Sequence, residues 1–307
     1  MLNTLPETSD AEDTLATIES AHLSPWRRVR RERLALAGLL LALAFVAMAL
    51  AAPHLAPHPP NQPFDNGISD DGAPLPPGTP GFPLGTDTSG RDLLSRLIWG
   101  ARVSLLIGIV ANGVAMLIGM TLGAVAGYYG GFPGALIMRF TDVMLAFPTL
   151  LLGVALVALL TPGVPVIILV IGLVSWTSMA RIIHGQVVSL RERPFVEAAR
   201  ATGVGGMDIL LRHILPHLVS PILVYSSLGV ATAVLFEASL SYLGIGVQPP
   251  DPSWGKMVAD GATVGGATGF AYPWLLLFPG AAVFLTVLAF NLLGDGLRDL
   301  LDPTARR

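Results

Sequence analysis

Read for runs without charge, the chain separates into six apolar stretches joined by polar segments. A helix that crosses a bilayer needs about 20 mostly apolar residues at roughly 1.5 Å of rise each. Residues 34–52 form the first such stretch, and 103–128 form the second, just after Arg102. The uncharged run 143–180 is too long for one crossing. It contains Thr-Pro-Gly-Val-Pro at 161–165. Proline lacks an amide proton and glycine loosens the backbone, so this motif divides the run into a third span, 143–160, and a fourth, 164–180. The fifth span is 218–236 and the sixth 274–293. The pattern predicts an all-α integral membrane protein with six transmembrane helices.

The polar segments then take their places. Residues 1–33 precede the first span, and 53–102 hold a proline- and glycine-rich loop with no helical periodicity, followed by a short amphipathic stretch. In that stretch, Arg91 to Arg102, the apolar residues Leu93, Leu94, Leu97 and Ile98 form a stripe suited to an interfacial helix. Residues 103–293 make a five-helix core, and 294–307 a tail. The first stretch has the basic flank and the Ala-Leu-Ala-Ala-Pro end of a cleaved signal peptide. Its apolar run exceeds the usual 7–15 or so residues, however, and a long polar leader precedes it, so it reads as a retained span.

Basic residues set the orientation. With the N-terminus in the cytoplasm, four of the 18 basic residues (Arg91, Arg96, Arg102 and Lys256) fall outside and the other fourteen inside. Both termini and the charged segment 181–216 are then cytoplasmic. Only 13% of the chain is charged and 52% is hydrophobic, against about 25% charged in soluble domains. A net charge of −3 implies no nucleic-acid partner. With no cysteine, disulfides, thiolate catalysis and cysteine-held metals are excluded.

The membrane segments carry few polar groups. Gly119, Gly123 and Gly127 are four apart in the second span and offer a face on which another helix can pack closely. Asn112 and Asn291 either hydrogen-bond between helices or line a path; interface bonding is the commoner role. Ser226, Ser227 and Thr232 are further path candidates whose hydroxyls can equally bond their own helix. Asp142 and Glu237 lie at span ends and read as solvated or capping groups. No ionisable residue sits mid-span, so the charges on which proton- or ion-driven carriers depend are missing. There is no His-Glu-x-x-His pair and no GxxxxGK[ST] phosphate loop. His54 and His58 share a loop, where solvation is a simpler reading than metal binding. No catalytic residue, metal site or cofactor emerges, and any nucleotide chemistry falls to another chain.

The segment 181–216 is a charged island between apolar runs. It reads Glu-Ala-Ala-Arg-Ala-Thr-Gly from Glu197 to Gly203, then His-Ile-Leu-Pro from His213 to Pro216. Ala198, Ala199 and Ala201 favour a helix with little side-chain bulk, able to lie close against another protein. Glu197 and Arg200 are three apart and can pair with each other or with a partner. Gly203 suits the left-handed ending of that helix. A second helix begins near Met207, with Pro216 at a tolerated start or kink. An ordinary cytoplasmic hairpin fits these residues equally well.

The island resembles the EAA loop of permease subunits of bacterial ATP-binding-cassette importers: Glu-Ala-Ala, three residues, glycine, nine residues, then Ile-x-Leu-Pro. Glu197, Ala198, Ala199, Gly203, Leu215 and Pro216 match, while His213 stands where the pattern has isoleucine. Residues 83–105, 139–152, 237–257 and 289–303 are similar to the C-type permeases of dipeptide, oligopeptide and nickel importers. The resemblance implies the type I importer permease fold of the methionine-importer kind, in a bacterial inner membrane. It implies a second homologous permease, one or two ATPase subunits that hold ATP and magnesium, and an extracytoplasmic binding protein. Glu197, Ala198, Ala199, Arg200, Gly203, Leu215 and Pro216 would form the ATPase-coupling segment, and the external stretch around Trp254 would face the binding protein. Short peptides are the first expectation for the cargo, with nickel complexes, glutathione or other small solutes as alternatives within the family. An ion-coupled carrier and a membrane scaffold are the readings from other classes.

Overall fold

Each long apolar run winds into a helix, because only internal hydrogen bonding satisfies the backbone inside a bilayer. The computed structural model describes residues 25–161, 163–264 and 271–301. Residues 1–24, Pro162, Arg306 and Arg307, all used in the sequence reading, lie outside the described residues, as do the side chains of Arg27, Arg28, Arg30 and Arg31. The helices are α1 (Pro25–Leu50), α2 (Leu93–Tyr129), α3 (Gly131–Ala146), α4 (Thr149–Ala158), α5 (Val164–Arg191), α6 (Pro194–Ala201), α7 (Gly206–Tyr242), α8 (Trp254–Val264) and α9 (Trp274–Leu301). Among the described residues there is no β-strand, only isolated bridges in the loop before α2. Among the described residues five helices are long and apolar enough to span a membrane alone, and the bent pair α3–α4, taken as one broken span, gives a sixth.

That sixth span corrects the sequence reading. The third span is not one rod over 143–160: α3 ends at Ala146, and α4 leaves it at an angle of 88°. Phe147 is extended, with φ −86° and ψ 136°. It precedes Pro148, and the clash between a proline ring and the residue before it drives that residue out of the helical region. The break foreseen at 161–165 is also present, between Ala158 and Val164.

The tightest seam joins α2 to α5, and the glycine face predicted for the second span forms it. A Cβ at Gly119 would come within 2.6 Å of the Trp176 carbonyl oxygen, and one at Gly127 within 2.9 Å of the His184 carbonyl oxygen. Gly123 lies between them against Ala180. Helix α1 packs along α9 in the same manner, with Gly38 against Ala289, Leu292 and Leu293. It is an integral wall of the bundle.

The helices leave the bundle two distinct ends. At one, which we call the hairpin end, lie Tyr128 of α2 and the 191–218 segment, closed over a core of Val187, Val196, Ile209, Leu210, Ile214 and Leu218. At the other, the loop end, residues 51–92 and 243–264 fold over the starts of α2 and α9. The first of these loops is irregular, as its composition predicts, but it is held down firmly. Asp87 pairs with Arg91 (2.7 Å) and Arg96 (3.3 Å), and Arg96 also donates to the Pro60 carbonyl at 3.1 Å.

This loop also revises the amphipathic stretch. Residues 93–102 are not a separate interfacial helix but the first turns of α2. The Asp92 side chain caps α2 by accepting from the Ser95 amide at 3.0 Å, as capping side chains do. Leu93 and Ile98 are buried by protein.

Candidate functional site

Helix α6 is built by its sequence. Pro194 occupies the first helical position, where its missing N–H costs nothing. Glu197 falls in the first turn and Arg200 in the last, each complementing the helix dipole. At the far end Gly203 has φ +82°. Its amide donates to the Arg200 carbonyl at 3.0 Å, and the Val204 amide reaches back to Ala199 at 3.1 Å. This paired closure is a Schellman motif, which needs a left-handed residue at the position Gly203 fills. The Thr202 hydroxyl adds bonds to the Ala198 and Ala199 carbonyls at 3.2 and 3.0 Å.

The helix is half-sunk. Val196 and Ala199 are buried in the hairpin-end core, while Glu197, Ala198, Arg200, Ala201 and Gly203 are exposed. The exposed strip is therefore two alanines and a glycine flanked by one acid and one base. Glu197 and Arg200 do not pair; the Arg200 guanidinium instead lies 5.6 Å from the ring centroid of Tyr128. Beside the strip, the Phe195 ring stacks on His217, with centroids 4.9 Å apart.

The strand-free return from α6 enters α7 through irregular turns. A π turn covers Ile209–Ile214 and a 3₁₀ turn Leu215–Leu218, before regular α-helix from Val219. Leu215 and Pro216 stand at the start of the 3₁₀ turn, Leu215 half-buried and Pro216 exposed. His213 is half-buried with its Nδ1 enclosed and unpartnered.

The predicted path residues lie on α2, α7 and α9. The Asn112 side chain donates to the Ser226 carbonyl at 2.9 Å, so it ties α2 to α7. Ser226 contacts the Met116 sulfur at 2.7 Å. Ser227 and Thr232 bond their own helix, at the Val224 and Leu228 carbonyls. Asn291 is half-buried on α9.

Two end-of-span residues differ from their sequence reading. Asp142 is exposed as expected, but it sits within α3 and pairs with Arg181 of α5 at 2.5 Å. Glu237 is wholly buried, not solvated. It accepts from the hydroxyls of Ser241 and Ser253 at 2.8 Å each and from Ser104 at 3.4 Å. Trp254 is wholly buried too, so its indole offers nothing to a partner; its Nε1 donates to the Leu97 carbonyl at 2.9 Å. In that loop Leu243, Gly244 and Pro249 to Asp251 are exposed. Sequence periodicity could not reveal the Glu237 cluster, because its members come from α2, α7 and the loop. Three serines spread through two of the quoted motif segments were the only signal.

A six-span bundle with an alanine-surfaced hairpin between its fourth and fifth spans defines a class of transport permease. Residues 119–307 match the family of binding-protein-dependent transport system inner membrane components, and residues 24–77 match the N-terminal transmembrane domain of oligopeptide transport permease C. The chain belongs to this family of membrane permeases. It is 40% identical to the glutathione transport system permease GsiD of Pectobacterium atrosepticum, over 99% of this chain and 96% of that one. It is also 40% identical to the dipeptide transport system permease DppC of Alkalihalophilus pseudofirmus, over 92% of this chain and 90% of that one. Among solved structures, the MetNI methionine ABC transporter in an inward-facing conformation shares the fold, with a TM-score of 0.53 and 17% identity over 67% of this chain and 96% of that one.

Proposed function

We propose that this chain is one of two permeases of an ATP-driven importer for short peptides, and that α6 and the turn at Gly203 dock on an ATPase subunit. The observation that carries this is the exposed strip of Glu197, Ala198, Arg200, Ala201 and Gly203 on a helix whose other side is anchored in the bundle. Small side chains let a partner's backbone approach, and the rigid Schellman ending transmits displacement of the strip to α7. ATP and magnesium belong to the partner chains. The basic-residue bias puts this end, with both termini, in the cytoplasm. The opposite end then meets an extracytoplasmic binding protein through the 249–251 tip. A peptide cargo fits relatives that carry dipeptides and glutathione, itself a peptide; nickel complexes and other small solutes are the alternative.

The test is purification and reconstitution. Affinity-tagged chain is expected to bring down a second permease and an ATPase, and the complex in proteoliposomes should accumulate a labelled di- or tripeptide only with ATP inside and binding protein outside. Accumulation by this chain alone, driven by an ion gradient and indifferent to ATP, would establish a secondary carrier instead. An assembly that moves no solute would establish a scaffold.

A further inference from the structure

The reading above leaves the Glu237 cluster without a task, although Glu237, like Asp92, is a wholly buried carboxylate. Its hydrogen bonds have a consistent direction. Each of three serine hydroxyls donates its proton to Glu237 and uses a lone pair to accept a backbone amide. Ser241 accepts from Val247 (3.2 Å), Ser253 from Lys256 (3.1 Å) and Ser104 from Trp254 (3.1 Å). One side chain of α7 thus sets three hydroxyl rotors, and those rotors fasten the 244–256 loop to α7 and to α2. In each of these bonds a serine hydroxyl points inward to a Glu237 oxygen, which leaves its lone pairs for the loop amides.

Packing reinforces the fastening. A Cβ on Gly255 would come within 2.5 Å of the Ala238 Cα, and one on Gly100 within 3.0 Å of the Trp254 ring. The loop backbone lies directly on α7, and the indole lies directly on α2. Phe45 of α1 meets the same indole edge-on, with centroids 5.5 Å apart. Within 244–256 only Gly244 and the tip, Pro249 to Asp251, are exposed.

The same two helices reach the hairpin. Helix α7 begins at Gly206, three residues past Gly203, and a Cβ at Gly206 would lie 3.2 Å from the Tyr128 ring. Tyr128, near the far end of α2, also lies under Arg200 of α6. From Ser104 to Tyr128 a helix covers about 36 Å. We infer that Glu237 is a positioning residue that makes the 244–256 loop one rigid body with α7 and α2, so that engagement of the loop tip by a binding protein is delivered along those helices to the hairpin. This rests on the importer reading proposed above.

The experiment uses the complete transporter in lipid nanodiscs, with ATP hydrolysis measured with and without saturating, cargo-loaded binding protein. The wild-type complex is expected to be stimulated. Glu237→Leu keeps the site filled but removes every acceptor, and the stimulation ratio should fall by about tenfold, within the range of allosteric coupling. Glu237→Gln retains an acceptor oxygen for Ser241 and Ser253, which keeps the loop on α7, but gives up the long Ser104 bond to α2, so its ratio should fall by about twofold to threefold, well short of the loss in Glu237→Leu. The absence of cysteine allows a second readout. A spin label on Asp251→Cys at the exposed tip should be immobile in the wild-type and Glu237→Gln complexes and mobile with Glu237→Leu. If Glu237→Leu does not assemble, Ser253→Ala takes its place, and partial loss of stimulation with a loosened label is expected. A stimulation ratio unchanged in Glu237→Leu or Ser253→Ala, or a label equally immobile in them, overturns the inference alone. A wild-type complex without binding-protein stimulation overturns the importer reading, and the inference with it.

Discussion

Two glutamates in near-identical local sequence have opposite fates in this protein. Glu197 opens Glu-Ala-Ala at the hairpin end, and Glu237 opens Glu-Ala-Ser at the loop end. Both are followed by small residues and both lie on helices. Glu197 is exposed, on a strip whose neighbours leave room around it. Glu237 is enclosed and spends its acceptor capacity on three hydroxyls. The difference teaches that an acid beside alanines carries no fixed meaning. At the hairpin end the absence of internal partners is what makes the residue available to another protein. At the loop end the same chemistry is turned inward, where it holds one segment of the chain to another.

The comparison predicts opposite mutational signatures, and the largest effect belongs to the closed end. Trp254→Ala should destabilise the protein by about 3–5 kcal/mol, the usual cost of emptying a large aromatic site. The substitution also removes the indole bond to the Leu97 carbonyl that ties this residue to α2. The readout is the thermal unfolding midpoint of purified protein, and an unchanged midpoint would show that the loop end is not the clamp described here.

At the open end the signature reverses. Glu197→Lys alters no buried contact, so stability should stay within about 0.5 kcal/mol of wild type, as for surface substitutions. ATP-driven uptake should nevertheless fall by roughly tenfold or more, because the charge on the exposed strip is inverted where a partner docks. Gly203→Val and Gly203→Asn sharpen the point. No atom lies near a Cβ at Gly203, so both side chains project outward, but asparagine tolerates a left-handed backbone and valine does not. Uptake should fall in both, and the melting midpoint mainly in the valine variant. Normal uptake by Gly203→Asn would remove the hairpin from the docking role.

How much of this was legible beforehand follows from the range of the forces involved. The helix of 194–201 and its glycine ending could be read because capping and propensity act over a few residues. The Gly119–Gly123–Gly127 face could be read because a helix repeats, although its partner, α5, could not be named. The 88° bend was locally encoded in Phe147–Pro148 but was passed over in an apolar run that looked uniform. The amphipathic stripe at Leu93–Ile98 was genuine, yet its burial depends on a loop folded back from 53–92. The sequence reading misplaces Glu237 and Trp254 because much of what surrounds them is distant along the chain: Ser104 is 133 positions from Glu237 and 150 from Trp254.

A middle-sized effect tests the seam between the two ends. Asn112→Leu removes the bond to the Ser226 carbonyl that joins α2 to α7. Interhelical side-chain bonds in membranes are worth about 0.6–1.7 kcal/mol, so the midpoint should drop modestly. If Asn112 instead lined the cargo path, uptake would change selectively among peptides while the midpoint held.

The smallest effect has the opposite sign, and it comes from the one departure from the hairpin motif. His213 stands where the pattern has isoleucine, and its Nδ1 is buried without a hydrogen-bond partner. Neighbouring Ile209, Leu210 and Ile214 belong to the hairpin-end core. Leaving a polar atom buried and unsatisfied costs about 1–3 kcal/mol, whereas an apolar group of similar volume carries no such penalty. His213→Ile should therefore stabilise the purified protein by about 1 kcal/mol, allowing for imperfect fit of the branched side chain. It lies off the exposed strip of α6, so ATP-driven uptake should be unchanged. A stabilised variant with normal uptake would mark the closed part of the hairpin as scaffold and confine the docking role to the open strip. A stabilised variant that no longer transports would instead show that the imidazole is held in an unfavourable site for the sake of coupling, and the division between open and closed faces would have to be redrawn through residue 213.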